Sequence, residues 1–198
     1  MPTMSPRRLP PSPPQLPEIV AIIGAGPLGR WLALAAARAG FRVQLEDVMP
    51  ANLHHAQELL RRQLGPQPLA ETPVAFVSTI EDAVRNADLV IDCVPDELES
   101  KLEILLLLDR MAPPRTVLAT PTTRLSIADL ASCTYRPSKC VAIVAEANSL
   151  TENSEPETDA REILLRTTAQ TAPETVALLD RFWRQLGFIP RFDQAPAI

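Results

Sequence analysis

The feature that most constrains this chain is a glycine loop set between a buried strand and an amphipathic helix. Ile19 to Ile23 is a short continuous apolar run, the pattern of a strand covered on both faces, and it leads straight into Gly24-Ala25-Gly26-Pro27-Leu28-Gly29. Each glycine of this G-x-G-x-x-G has its own mechanical role. Gly24 makes the tight turn, Gly26 lets the backbone approach an anion, and Gly29 lets the next helix pack closely on the strand. That helix is marked by Leu28, Leu32, Ala35, Ala36 and Ala39 at helical spacing, and by Gly40, which suits a left-handed helix end. Pro27 near its start removes no intrahelical hydrogen bond. The free amides of the first turn, aided by the helix dipole, then suit a pyrophosphate. Gly24, Gly26, Pro27, Leu28 and Gly29 are therefore candidate cofactor contacts. Asp47, about 20 residues on at the end of the next strand, is the carboxylate such a site uses for a ribose. Its charge, joined by that of Glu46, disfavours a 2′-phosphate and so favours NAD over NADP. A glycine turn followed by a helix-capping acid is the reading of the same residues without a ligand.

The rest of the chain repeats the alternation. Phe41 to Leu45 reads as strand, Asn52 to Leu64 as helix, Val74 to Val77 as strand, Asp82 to Asn86 as short helix and Leu89 to Val94 as buried strand. Asp96 to Met111 reads as a long helix ended by Pro113 and Pro114, with Leu98, Leu102, Leu105, Leu106 and Met111 on one face, widened by Ile104, Leu107 and Leu108; this face reads as core packing, and any exposed part of it as a partner surface. Beyond it come a strand (Thr116 to Thr120), a short helix (Ser126 to Ala131), a strand (Val141 to Ala145), a further strand (Ile163 to Arg166), a helix (Glu174 to Leu186) and a last strand (Phe188 to Phe192). The expected fold class is α/β: a Rossmann-type, doubly wound, mostly parallel sheet with helices on both faces and no helical second domain. Residues 18–198 form this domain. Residues 1–17 hold seven of the 21 prolines and read as a disordered tail, a candidate ligand for an SH3-like groove. The polar stretch Thr151 to Ala160 reads as an exposed loop.

Composition narrows the function classes. A net charge of −5 lacks the basic footprint of a nucleic-acid binder. Cys93, Cys133 and Cys140 are an odd set without C-x-x-C spacing, which points to reduced thiols and offers no zinc or other metal site. No apolar stretch approaches the roughly 18 residues of a membrane span, and no apolar segment follows Arg7 and Arg8 as a signal peptide would require. A cytoplasmic protein is expected.

Over almost all of residues 18–196 the chain resembles the NAD-binding domain of 3-hydroxyacyl-CoA dehydrogenases. The stretches that carry the likeness are IVAIIGAGPLGRWLALAAARAGFRVQLEDVMP, ADLVIDCVPDELESK, APPRTVLATPTTRLSIADLA and APETV followed by LGFIP. The resemblance implies an NAD-dependent oxidoreductase of fatty acid metabolism acting on an acyl-CoA. It also implies that Cys93, Val94, Asp96 and Lys101 line the nicotinamide side of the cofactor. From the residues alone, Asp96 reads equally as a helix-start acid and Lys101 as a solvated lysine. The family's SNTSSLSI motif corresponds to Thr120-Pro121-Thr122-Thr123-Arg124-Leu125-Ser126-Ile127, which places Thr123 on a substrate-contacting serine and keeps its hydroxyl. Pro121 and Arg124 depart from that motif.

A larger departure follows. Where the family has a strand ending in HFFNP, whose histidine is the general acid/base, this chain has Val144-Ala145-Glu146-Ala147-Asn148. Its two histidines, His54 and His55, fall on the helix after Asp47 and so at the adenosine end. Glu146 is a substitute-base candidate, and Glu162 is the nearest candidate for the histidine's glutamate partner. The sequence ends about where family members enter a helical domain that completes the cleft and forms the dimer. Three readings stand: an NAD(H)-binding module with weak or no chemistry by itself; an active 3-hydroxyacyl-CoA dehydrogenase completed by a substitute base, a homo-oligomer or a separate helical-domain partner; and a non-catalytic interaction scaffold.

Overall fold

The computed structural model describes residues 16–65, 73–144 and 161–195. Three βα units come first: β1 (Ile19–Ile23) with α1 (Pro27–Arg38), β2 (Arg42–Glu46) with α2 (Pro50–Leu64), and β3 (Val74–Val77) with α3 (Ile80–Val84). A second set follows: β4 (Leu89–Asp92) with α4 (Leu98–Met111), β5 (Val117–Pro121) with α5 (Ile127–Ser132), and β6 (Cys140–Val144). The described chain closes with β7 (Arg161–Thr167), α6 (Pro173–Gln185) and β8 (Phe188–Gln194). The expected α/β architecture is present, and among the described residues there is no helical second domain.

The strands form one sheet in the order β3-β2-β1-β4-β5-β6-β7-β8. The first six are parallel; β7 pairs antiparallel with β6, and β8 runs parallel to β7. Strand alternation sends Val20 and Ile22 into a core under α1, α2 and α6, and Ala21 and Ile23 into a second core under α3, α4 and α5. The first core is closed by an aromatic cluster in which Trp183 meets Phe182 and Phe188 edge-on at 5.5 and 5.4 Å, and Trp31 meets Phe188 at 5.8 Å. The order reverses between β1 and β4: the chain leaves β1 for β2 on one side and β4 for β5 on the other. At such a point the connecting loops diverge and leave a crevice beyond the carboxyl ends of the strands.

The element ends lie within two residues of expectation, and two of the two-residue differences have clear local causes. The short helix starts at Ile80 because the Thr79 hydroxyl caps it, accepting the Asp82 amide at 3.2 Å. Helix α4 starts at Leu98 because Asp96 is engaged elsewhere, accepting the Thr123 amide at 3.2 Å. The core-facing side of α4 is also corrected: Lys101, Ile104, Leu105 and Leu108 are buried, whereas Leu98, Leu106 and Met111 are exposed. Five consecutive apolar residues from Ile104 to Leu108 left the phase of the helix undetermined, and the Asp92 carboxylate on β4 sets it by pairing with Lys101. The proline-rich segment up to residue 15 and the 151–160 stretch lie outside the described residues. Among the described residues no helix is long and apolar enough to cross a membrane.

Candidate functional site

The crevice between the β1 and β4 loops has a volume of about 910 Å³, within the usual range for small-molecule sites. Its floor is the glycine loop. Gly24 has φ +102°, a left-handed conformation that favours glycine, and a β-carbon there would press on the Cys93 carbonyl at 3.2 Å. A β-carbon on Gly29 would collide with the Gly24 carbonyl oxygen, so only glycine lets α1 start this close to β1. Gly26 differs, because no protein atom lies within 4 Å of the place its β-carbon would take. The backbone is bare toward the crevice at that point, which fits the close approach of a pyrophosphate. Pro27 opens α1 and, with Leu28, lines the same floor.

Asp47, immediately after β2, ties the loops together. Its Oδ2 accepts the Ala25 amide at 2.8 Å and the Asn52 side-chain amide at 3.1 Å, and its Oδ1 accepts the Met49 amide at 2.8 Å. Oδ1 accepts only the Met49 amide among the described residues, which leaves it a second acceptor position, enough for a ribose hydroxyl. Glu46 is buried on the same wall. Burial first, and then the neighbouring Asp47 charge, raise its pKa to about 7.

The opposite wall comes from β4 and β5. Cys93, Val94, Asp96 and Thr123 all line the crevice there. Burial, followed by the Asp92 charge, raises the Cys93 thiol so far that it stays protonated and unreactive. Asp96 joins the two loops: its Oδ2 accepts from the Thr123 amide, and its backbone carbonyl accepts from the Arg124 guanidinium at 3.2 Å. Its Oδ1 is buried with no partner among the described residues. Thr122 holds the loop from inside, its hydroxyl accepting the Leu125 amide at 3.0 Å.

Lys101 lies elsewhere than either expectation. It is neither solvated nor on the crevice wall but fully buried below it, with Nζ 2.5 Å from Asp92 Oδ1. Burial raises the Asp92 carboxyl, and the Lys101 ammonium, with the Thr120 hydroxyl, opposes that shift. His54 and His55 are exposed on α2, and Val144 ends β6 opposite Leu164 of β7. Glu146 lies outside the described residues. Glu162 is not turned to the crevice; its carboxylate forms an exposed ion pair with Arg191 at 2.8 Å. Sequence reading missed Asn52, which stands in the first turn of α2 and grips Asp47, and Ile80, which closes the crevice from α3. Asn52 could have been found from its distance of five residues to Asp47. Ile80 leaves no local signal, since β3 and α3 bring it there.

The same architecture recurs in known proteins. A model of the 3-hydroxyacyl-CoA dehydrogenase NAD-binding domain matches residues 19–144, from the first residue of β1 to the last of β6. A probable 3-hydroxybutyryl-CoA dehydrogenase of Bacillus subtilis is 34% identical over 135 residues, covering 63% of this chain and 47% of the relative. The 5-formyl-3-hydroxy-2-methylpyridine 4-carboxylate 5-dehydrogenase of Mesorhizobium japonicum is 29% identical over 186 residues, covering 86% of this chain and 55% of the relative. Among solved structures, a 3-hydroxyacyl-CoA dehydrogenase from Archaeoglobus fulgidus matches with a TM-score of 0.74 at 26% identity, covering 91% of this chain and 58% of that one. The chain thus spans about half the length of the curated relatives it matches.

Proposed function

The chain belongs to the family of 3-hydroxyacyl-CoA dehydrogenase NAD-binding domains, and from that premise we propose that it holds NAD(H) in the crevice with little hydride transfer of its own. Gly24, Gly26, Pro27, Leu28 and Gly29 receive the pyrophosphate, Asp47 the adenosine ribose, and Cys93, Val94 and Asp96 the nicotinamide half. Lys101 is a positioning residue, acting through Asp92 beneath the β4 loop. The observation that carries the reading is the uncovered Gly26 backbone on an open crevice, beside the Asp47 carboxylate that accepts the neighbouring Ala25 amide.

When bound, the dinucleotide supplies a hydride acceptor or donor. The protein must still move the hydroxyl proton of a 3-hydroxyacyl substrate, a step in which a general base contributes about 10²- to 10⁴-fold in rate. Val144 stands where the resembling family has its histidine, and a valine moves no proton. Thr123 keeps a hydroxyl for substrate hydrogen bonding. Calorimetric titration with NADH tests the binding arm: micromolar affinity is expected, weakened by Asp47→Ala and unaffected by Glu162→Ala. Absence of binding would sink this reading in favour of a bare scaffold. Turnover of acetoacetyl-CoA with NADH tests the chemical arm, and a rate constant near the ordinary enzyme range of about 10 s⁻¹ would make the chain an active dehydrogenase with another base.

A further inference from the structure

The adenosine end of the crevice carries two consecutive carboxylates, and among the described residues only one of them has side-chain hydrogen-bond partners. Asp47 is held by three donors, as described. Strand alternation turns Glu46 to the face opposite Val43 and Leu45, in register between Ile23 of β1 and Val77 of β3. Its backbone carbonyl accepts the Gly24 amide at 2.8 Å, which fixes it to the glycine loop, and its side chain lines the crevice. Among the described residues that side chain has neither a hydrogen-bond donor nor a cation.

Among the described residues, the surroundings leave Asp47 as its one charged neighbour. β1 and β3 offer Ile23, Gly24 and Val77, all uncharged. From α3 comes Ile80, while Glu81 and Asp82 pair with Arg85 on the exposed side of that helix. On β4, Asp92 is matched by Lys101. On α2, Asn52 faces the crevice, and His54 and Glu58 pair at the surface.

Resting on the reading that this crevice holds NAD(H), we propose that Glu46 is a proton-linked residue of the dinucleotide site, so that the cofactor binds the protonated form and takes up a proton on binding. Glu46 already titrates at about 7 in the free protein. An adenosine seated over it removes the remaining water, and the pyrophosphate adds negative charge beside the glycine loop. Both effects favour the neutral carboxyl. The sign follows: the ligand raises the pKa of the group, so affinity is full below the free-protein value and falls as pH rises through it.

Calorimetry of the full chain with NADH, in buffers of different ionisation enthalpy, measures the proton count directly. For a rise of one pKa unit on binding, about half a proton is taken up at about pH 7.5, and the Kd rises about tenfold from pH 6 to pH 9. Glu46→Gln, which mimics the protonated form, is expected to bind with a flat pH profile and no uptake; should it not fold, Glu46→Leu carries the same expectation. Wild-type binding with no proton uptake would overturn the inference while leaving the NAD(H) reading in place. Uptake that persists in the folded variant would overturn it too, because the proton would then go to another group. Failure of the wild-type chain to bind NADH at any pH would remove both.

Discussion

A methyl group added at Gly29 meets the Gly24 carbonyl oxygen, whereas one added at Gly26 meets only open space. The two substitutions therefore separate folding from binding. Gly29→Ala is expected to cost about 2 to 3 kcal/mol, because backbone on both sides must shift, and denaturant unfolding measures it. Gly26→Ala, at an ordinary backbone conformation of φ −66°, is expected to change stability by less than about 0.5 kcal/mol. Its methyl group occupies space the pyrophosphate needs, so NADH affinity should fall by at least about tenfold. Equal affinity for the two proteins would place the phosphates elsewhere. These residues were legible in the sequence because their spacing obeys local geometry: a turn, a bare backbone and a helix start must occur in that order. Ile80 was not, because it acquires its place from a packing contact that no spacing rule encodes, whereas Asn52 was passed over although it stands only five residues from Asp47.

At the scale of elements, helix α4 shows where pattern runs out. Its apolar residues surround most of the helix, so periodicity could not choose the inward side, and the long aliphatic stem of Lys101 gave no hint that it was the residue most deeply set. The buried Asp92–Lys101 pair makes that choice. Lys101→Met leaves a carboxylate without its cation and is expected to cost about 3 to 5 kcal/mol, whereas the double change Asp92→Leu with Lys101→Met should lie within about 1 kcal/mol of the parent or above it. The single variant should also show a stronger pH dependence than the parent, because the Lys101 ammonium no longer opposes the rise of the Asp92 carboxyl. A buried carboxyl raised above its unfolded value stabilises the fold when protonated, so this protein should be firmest in mild acid and lose stability as pH rises through the folded-state value. Urea midpoints measured across that interval check the sign, and a flat profile would show that water reaches Asp92.

For the whole molecule, the sheet order and its reversal between β1 and β4 place every crevice wall at the carboxyl ends of parallel strands, which is why strand-by-strand reading led to the residues of one crevice. The reversal of β7 was not legible, since a short apolar strand carries no mark of its direction. Because the crevice draws on β1, β2, β4 and β5 together, a ligand there stabilises the fold as one unit. NADH at 100 times its Kd should add about 2.7 kcal/mol and raise the melting temperature by about 5 to 10 °C in a scanning experiment. No rise at that concentration would mean that the dinucleotide does not hold these strands together.

Both tryptophans of the chain sit in the aromatic cluster that joins α1, α6 and β8, one of them wholly buried. Ultraviolet emission from this protein therefore arises in a single oily locale and should peak toward the blue. Trp31 stands four residues along α1 from Pro27, about 6 Å of helix. Reduced nicotinamide absorbs where indole emits, so energy passed from the cluster to a seated cofactor would dim one colour and brighten another, and the molecule carries a built-in optical gauge of its own occupancy.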